Sequence, residues 1–203
     1  MDFVYPFDLV GTFFFAMSGT LAGAKKQLDA FGALVIGFIT AIGGGTLRDI
    51  LLGKFPLFWI HNMHYVLIIL LSAGISLLFR QRLQQLRKTF HLFDTLGIAL
   101  FAILGTQKAL VMGVPPLVAA FLGMTSAVMG GLLRDVICNE IPLILRAELY
   151  ATSCLVGSGV FLGLVYYFPS MPGKALIGFS CIVVIRLLAI KYGLRFPQLR
   201  DGK

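Results

Sequence analysis

Gly43-Gly44-Gly45-Thr46-Leu47-Arg48-Asp49 closes one long apolar run, and Met129-Gly130-Gly131-Leu132-Leu133-Arg134-Asp135 closes another, 86 positions further on. A glycine weakens a helix interior by about 1 kcal/mol relative to alanine. An arginine at the centre of a lipid-facing helix costs about 2.5 to 3.5 kcal/mol. A chain that keeps both, twice and in the same order, uses these segments for more than anchoring.

The surrounding composition places the runs in a membrane. Of the 203 residues, 58% are hydrophobic and 13% charged, with a mean hydropathy of +0.92. Soluble domains are about 45 to 50% apolar even with glycine included. Each crossing of the hydrocarbon core takes about 20 residues, so the length accommodates roughly seven helices and no soluble domain beside them. The net charge of +8 collects at the ends of apolar runs, where topology explains it and nucleic acid is not needed. Cys138, Cys154 and Cys181 stand apart in apolar surroundings and read as small buried residues. Met1-Asp2-Phe3 has no basic region ahead of its apolar run, so no cleaved signal peptide is expected.

Punctuation by charge, glycine and proline predicts spans at 8–24, 31–52, 64–80, 94–112, 116–138, 148–168 and 173–193. With seven crossings, Lys25, Lys26, Arg80, Arg82, Arg87, Lys88, Lys191, Arg195, Arg200 and Lys203 share one side. Lys54 and Lys174 lie opposite, with Lys108 near the end of span four. The excess predicts an N-terminus outside and a cytoplasmic C-terminus, in the inner (plasma) membrane.

Sliding the chain on itself by 86 residues pairs Asp8 with Asp94, Phe15-Ala16 with Phe101-Ala102, Gly19-Thr20 with Gly105-Thr106, and Gly37 with Gly123. The same register pairs Gly44-Gly45 with Gly130-Gly131, Leu47-Arg48-Asp49 with Leu133-Arg134-Asp135, and Pro56-Leu57 with Pro142-Leu143. Three crossings per copy turn the second copy upside down, the inverted-repeat plan of many transporters. The expected fold is therefore a single all-α membrane domain: repeat one at 8–80, repeat two at 94–168, and an extra helix at 173–193.

Gly43, Gly44 and Gly45 predict a kink or break in span two, and Gly130 and Gly131 one in span five. Such interruptions are tolerated at membrane depth where the main chain faces protein or a water-filled cavity. A symmetric pair predicts a permeation path lined by carbonyls that replace a cation's water. Small residues also serve close helix packing, the reading for Gly11, Gly19, Gly37, Gly97, Gly105 and Gly123. Arg48 and Arg134 should avoid lipid. As helix neighbours, Arg48 and Asp49 point in different directions and are not expected to neutralise each other, so Asp8 and Asp94 become candidate partners. Arg48, Asp49, Arg134 and Asp135, with Asp8, Asp94 and Lys108, are the candidate charged latches at two ends of a pore; the plainer alternative is a snorkelling interfacial pair. Thr40, Thr46, Thr125 and Ser126 flank the glycines, where hydroxyls bond a passing ion, freed backbone or their own helix.

Other features fit a membrane protein without chemistry of their own. His61 and His64, beside Trp59 and Tyr65, read as an interfacial belt rather than metal ligands. Glu140 and Glu148 read as solvated, Arg186 as reaching headgroups, and Arg80 to Lys88 as an inside-facing loop that can also bind anionic lipid. No HExxH, GxSxG or Gly-Lys phosphate loop is present, so neither an enzyme nor a cofactor is expected.

On the doubled Gly-Gly-x-x-Arg-Asp motif and the three-plus-three-plus-one helix plan, the chain resembles the prokaryotic trimeric intracellular cation (TRIC) channels and the related UPF0126, or glycine transporter domain, family. The resemblance implies a homotrimer with a pore in each subunit, helices two and five kinked at Gly43 to Gly45 and at Gly130-Gly131, and permeation by K⁺ and Na⁺. The animal channels carry a lysine ahead of the second glycine cluster, where this chain reads Thr125-Ser126-Ala127-Val128-Met129, so their voltage, calcium and phosphoinositide control is not carried over. A carrier for a small zwitterion such as glycine, or a lipid-binding scaffold, are the competing readings.

Overall fold

The computed structural model describes residues 4–85, 89–146 and 149–194, and there every regular element is helical. The elements are α1 (Val4–Lys25), α2 (Ala30–Leu51), α3 (Met63–Leu78), α4 (Arg80–Gln85), α5 (Thr89–Val111), α6 (Pro116–Ile137), a 3₁₀ turn (Leu143–Leu145), α7 (Ala151–Tyr167) and α8 (Lys174–Tyr192). Spans one to three are α1 to α3, and spans four to seven are α5 to α8. Asp2, Arg87, Lys88, Glu148, Arg195, Arg200 and Lys203 lie outside the described residues.

The predicted spans are all helical, and they differ in length. Among the described residues five helices, α1, α2, α5, α6 and α8, have the length and apolarity to cross a bilayer. The third helix of each repeat is shorter, with 16 residues in α3 and 17 in α7. At about 1.5 Å per residue each falls a few ångströms short of a hydrocarbon core about 30 Å thick. The short α4 continues from α3 where a basic loop was expected.

Local chemistry explains the helix ends. Asp29 caps α2 by accepting from the Gly32 amide at 2.7 Å, and Pro116 opens α6, where its missing N–H is not needed. The chain leaves α1 and α5 through left-handed residues at Gln27 (φ 60°) and Gly113 (φ 79°), and leaves α2 and α6 through Gly53 (φ 62°) and Asn139 (φ 50°). Both pairs stand 86 residues apart. The closing hydrogen bonds repeat at the same offset: Lys54 N–H to Asp49 O and Glu140 N–H to Asp135 O are each 2.8 Å. The duplication is thus written in backbone conformation as well as in sequence.

Helices α1, α2, α5 and α6 form the core. α1 and α5 run antiparallel, with Asp8 near the start of one bonded to Lys108 near the end of the other. Midway, Phe15 and Phe101 stack at 5.1 Å and 13° on the local symmetry axis. A Cβ on Gly44 would strike the Ser126 carbonyl oxygen, and one on Gly130 would strike the Thr40 carbonyl oxygen. These two glycines let α2 and α6 cross at backbone distance. α3 lies against α1, and α7 and α8 pack together on α5, Gly157 meeting Ile182 and Gly178.

Candidate functional site

The core carries a cluster of buried charge at each end. At the Arg48 end, Arg48 Nε and Nη2 donate to Asp49 Oδ1 at 2.9 and 2.8 Å. Asp49 Oδ2 accepts from the Phe58 amide at 3.1 Å, fastening the loop between α2 and α3. The Phe58 ring lies 5.6 Å from the Arg48 guanidinium and 5.8 Å from Lys108 Nζ, and meets Tyr65 edge-on at 4.7 Å. Asp8 Oδ2 accepts from Lys108 at 2.7 Å and from the Tyr65 hydroxyl at 3.0 Å.

At the Arg134 end the same parts recur with different partners. Arg134 Nε donates to Asp135 Oδ1 at 2.8 Å, while Nη1 donates to both Asp94 Oδ1 and Ser18 Oγ at 2.6 Å. Asp135 Oδ2 accepts from the Leu143 amide at 3.0 Å, fastening the turn after α6. The guanidinium sits 4.6 Å from the Phe90 ring. Beside it, the buried Tyr150 ring carries the Arg186 guanidinium at 4.7 Å.

Arg48, Asp49, Asp8, Arg134 and Asp94 are at most 1% exposed and Asp135 is 6%. Buried charge survives only when paired and hydrogen-bonded; every charge here is paired, while Asp8 Oδ1, Arg48 Nη1, Asp94 Oδ2 and Arg134 Nη2 have no hydrogen-bond partner among the described residues. Lys108, with 20% of its side chain exposed, is where the Arg48 cluster touches the surface.

Several expectations change. Neighbouring Arg and Asp do pair, because the arginine stem is long enough to fold its guanidinium back onto the next carboxylate. Arg134 takes Asp94 as expected, but Arg48 does not take Asp8, since Lys108 and Tyr65 hold that carboxylate. α2 and α6 remain α-helical throughout the glycines, so no break frees main-chain carbonyls, and any bend is made inside a continuous helix. The glycines serve close approach instead: Gly43 faces Leu133, Gly45 faces the Phe58 ring, and Gly131 faces the Tyr150 hydroxyl. Thr40 and Thr125 donate back to the Ile36 and Phe121 carbonyls at 2.6 and 2.8 Å. Thr46 accepts from Trp59 Nε1 at 3.1 Å, and the Ser126 hydroxyl is buried with no partner among the described residues.

Arg186 is fully buried rather than reaching headgroups, and Tyr65 is buried rather than interfacial. His64 Nδ1 lies 2.8 Å from the Tyr5 hydroxyl; no cluster of three metal-ligating side chains occurs among the described residues. Cys138 and Cys154 are buried and Cys181 partly so, all three unbridged. Glu140 is exposed yet paired, with Lys26 at 2.6 Å and Arg146 at 3.4 Å. Lys26 holds the Glu140 carboxyl below its ordinary value. Sequence reasoning missed Phe58, Tyr65, Phe90, Tyr150 and Ser18. One signal was available, because Tyr65 and Tyr150 fall within one position of the repeat register.

The family model described as Glycine transporter matches residues 5–81 and again 91–166. The UPF0126 inner membrane protein YadS of Escherichia coli K12 is 38% identical over 197 residues, covering 96% of this chain and 95% of that protein. The chain belongs to the UPF0126 family. The likeness extends to solved channels. The TRIC trimeric intracellular cation channel orthologue of Rhodobacter sphaeroides superposes with a TM-score of 0.90 at 32% identity, over 96% of this chain and all (100%) of that one. A second TRIC cation channel, solved for the basis of its conductance, gives 0.87 at 30% identity, over 97% of each chain. The UPF0126 chain is thus a multi-pass membrane protein with the TRIC fold.

Proposed function

We propose that this UPF0126 protein is a monovalent cation channel, passing K⁺ and Na⁺ through a pore inside each subunit of a homotrimer. The path runs between α1, α2, α5 and α6, from one charge cluster to the other. The observation carrying this reading is the placement of two paired-charge clusters at opposite ends of one four-helix core, in a fold shared with solved cation channels. On this reading both clusters act as gates. Arg48, Asp49, Asp8 and Lys108 latch one end; Arg134, Asp94 and Asp135 latch the other. Opening separates α2 from α6 at Gly44 and Gly130 and exposes Thr40 and Ser126, whose hydroxyls then face the ion beside Gly43, Gly45 and Gly131, with Thr46 and Thr125 at the flanks.

The basic residues Lys25, Lys26, Arg80, Arg82 and Lys191 mark the Arg134 end as cytoplasmic, with the N-terminus outside. The same basic face meets anionic lipid headgroups. No enzymatic step is assigned.

The test is planar-bilayer recording of the purified protein in symmetric KCl. Discrete unitary currents are expected, and charge reversal at Arg48 or Arg134 should change their open probability. The family model's description favours a second reading, a carrier for glycine. Saturable, gradient-coupled glycine uptake without unitary currents would replace the channel with that carrier.

A further inference from the structure

The two ends are built from matching parts but are sealed differently. At the Arg134 end, the space a Cβ on Gly131 would take is bounded by the Tyr150 hydroxyl at 3.0 Å, Arg134 Nη2 at 3.5 Å and Asp94 Oδ1 at 3.6 Å. These are groups that hold water. The repeat-matched Gly45 faces hydrocarbon instead: a Cβ there would lie 2.5 Å from Phe58 Cε1 and 2.9 Å from Cζ.

We propose that the Phe58 ring is the dry seal of the Arg48 end, and that it makes the channel conduct unequally in the two directions. This rests on the channel reading above. The ring is half-buried and fixed from behind, its amide held by Asp49 Oδ2 and the next residue, Trp59, bonded to Thr46. Its face and edge serve three neighbours at once, Arg48, Lys108 and Tyr65. Two cations that would repel one another are held beside one ring, with Asp8 and Asp49 supplying the opposite charge. An apolar ring over a narrow polar path excludes water and so raises the barrier to a hydrated ion. Displacing it wets Arg48 and Lys108 together. Core packing alone does not demand the aromatic ring, because at the equivalent turn of the second repeat the amide held by the matching aspartate, Asp135, belongs to Leu143.

The experiment is single-channel recording at equal and opposite voltages in symmetric KCl, on the wild-type protein and on Phe58→Ile, which removes the ring and keeps an apolar side chain. Wild-type currents of opposite polarity should differ by about twofold or more, the size of one exposed cation–π contact. In Phe58→Ile the ratio should move towards one, with a larger unitary current. Phe58→Leu is read the same way if the isoleucine variant fails to fold. Equal wild-type currents at both polarities, or rectification unchanged in the variant, overturn the seal. Absence of any unitary current in the wild type instead overturns the channel reading on which it rests.

Discussion

Arg134 bonds to Asp94, Asp135 and Ser18 with two of its nitrogens, and its side chain is wholly buried. Removing one member strands the others without water. Arg134→Met or Asp94→Ala is therefore expected to lower stability in detergent by about 3 to 5 kcal/mol. Lys108→Met should cost less, because the buried Asp8 carboxylate keeps the Tyr65 hydroxyl as a donor. Denaturant titration followed by circular dichroism measures both, and equal losses would refute the ranking. Glu140 supplies a test of opposite character, on the surface. Its carboxyl is held low by Lys26, so its contribution is complete above the ordinary value of 4.5 and disappears as the pH falls through the depressed one. Melting points of wild type and Glu140→Gln should differ at neutral pH and converge in acid; curves that stay parallel would remove the pair from the account.

At the scale of elements, the crossing of α2 and α6 decides how near the core helices stand. Gly44→Ala and Gly130→Ala drive a methyl group into a facing carbonyl, and each should cost about 1 to 3 kcal/mol as the helices move apart. Gly74 on α3 has open space where a Cβ would go, so Gly74→Ala should be neutral or gain up to about 1 kcal/mol from helix propensity. Thermal melting in one detergent compares the three, and a loss at Gly74 matching that at Gly44 would undo the packing argument. Long apolar runs made these helices legible in the sequence, because hydrophobic length is a local property. What glycines do inside a helix is not local. The same Gly-Gly pair reads as a break or as a crossing until the facing Ser126 and Thr40 carbonyls are known. Likewise Asp94 was legible as a candidate arginine partner from its place at a helix start, whereas Lys108's capture of Asp8 breaks the repeat and needed three dimensions.

For the whole molecule, charge is balanced end by end. Among the described residues the Arg48 cluster holds two carboxylates, Asp8 and Asp49, against Arg48 and Lys108. The Arg134 cluster holds Asp94 and Asp135 against Arg134, with Arg186 brought close by α8 through Tyr150. Each end thus borrows a second cation that has no repeat-related copy: Lys108 matches Ala22, and Arg186 lies on the extra helix. Arg186→Met should accordingly destabilise the protein although it lies outside both repeats, and should leave the Arg48 latch unaffected. Loss of thermal stability with unchanged accessibility of a cysteine placed at Lys54 would meet that expectation; a fully stable variant would contradict it. Native mass spectrometry of the detergent-solubilised chain should give three copies.

The reciprocal contact, Gly44 on Ser126 and Gly130 on Thr40, is one contact made twice. In a half-length ancestor pairing antiparallel with a second copy about a twofold axis, any change there would have struck both sides together. Once the copies were joined in a single chain, each side became free to drift alone, and an aromatic ring on one flank or a lone lysine on one helix could give a formerly two-faced passage a preferred direction.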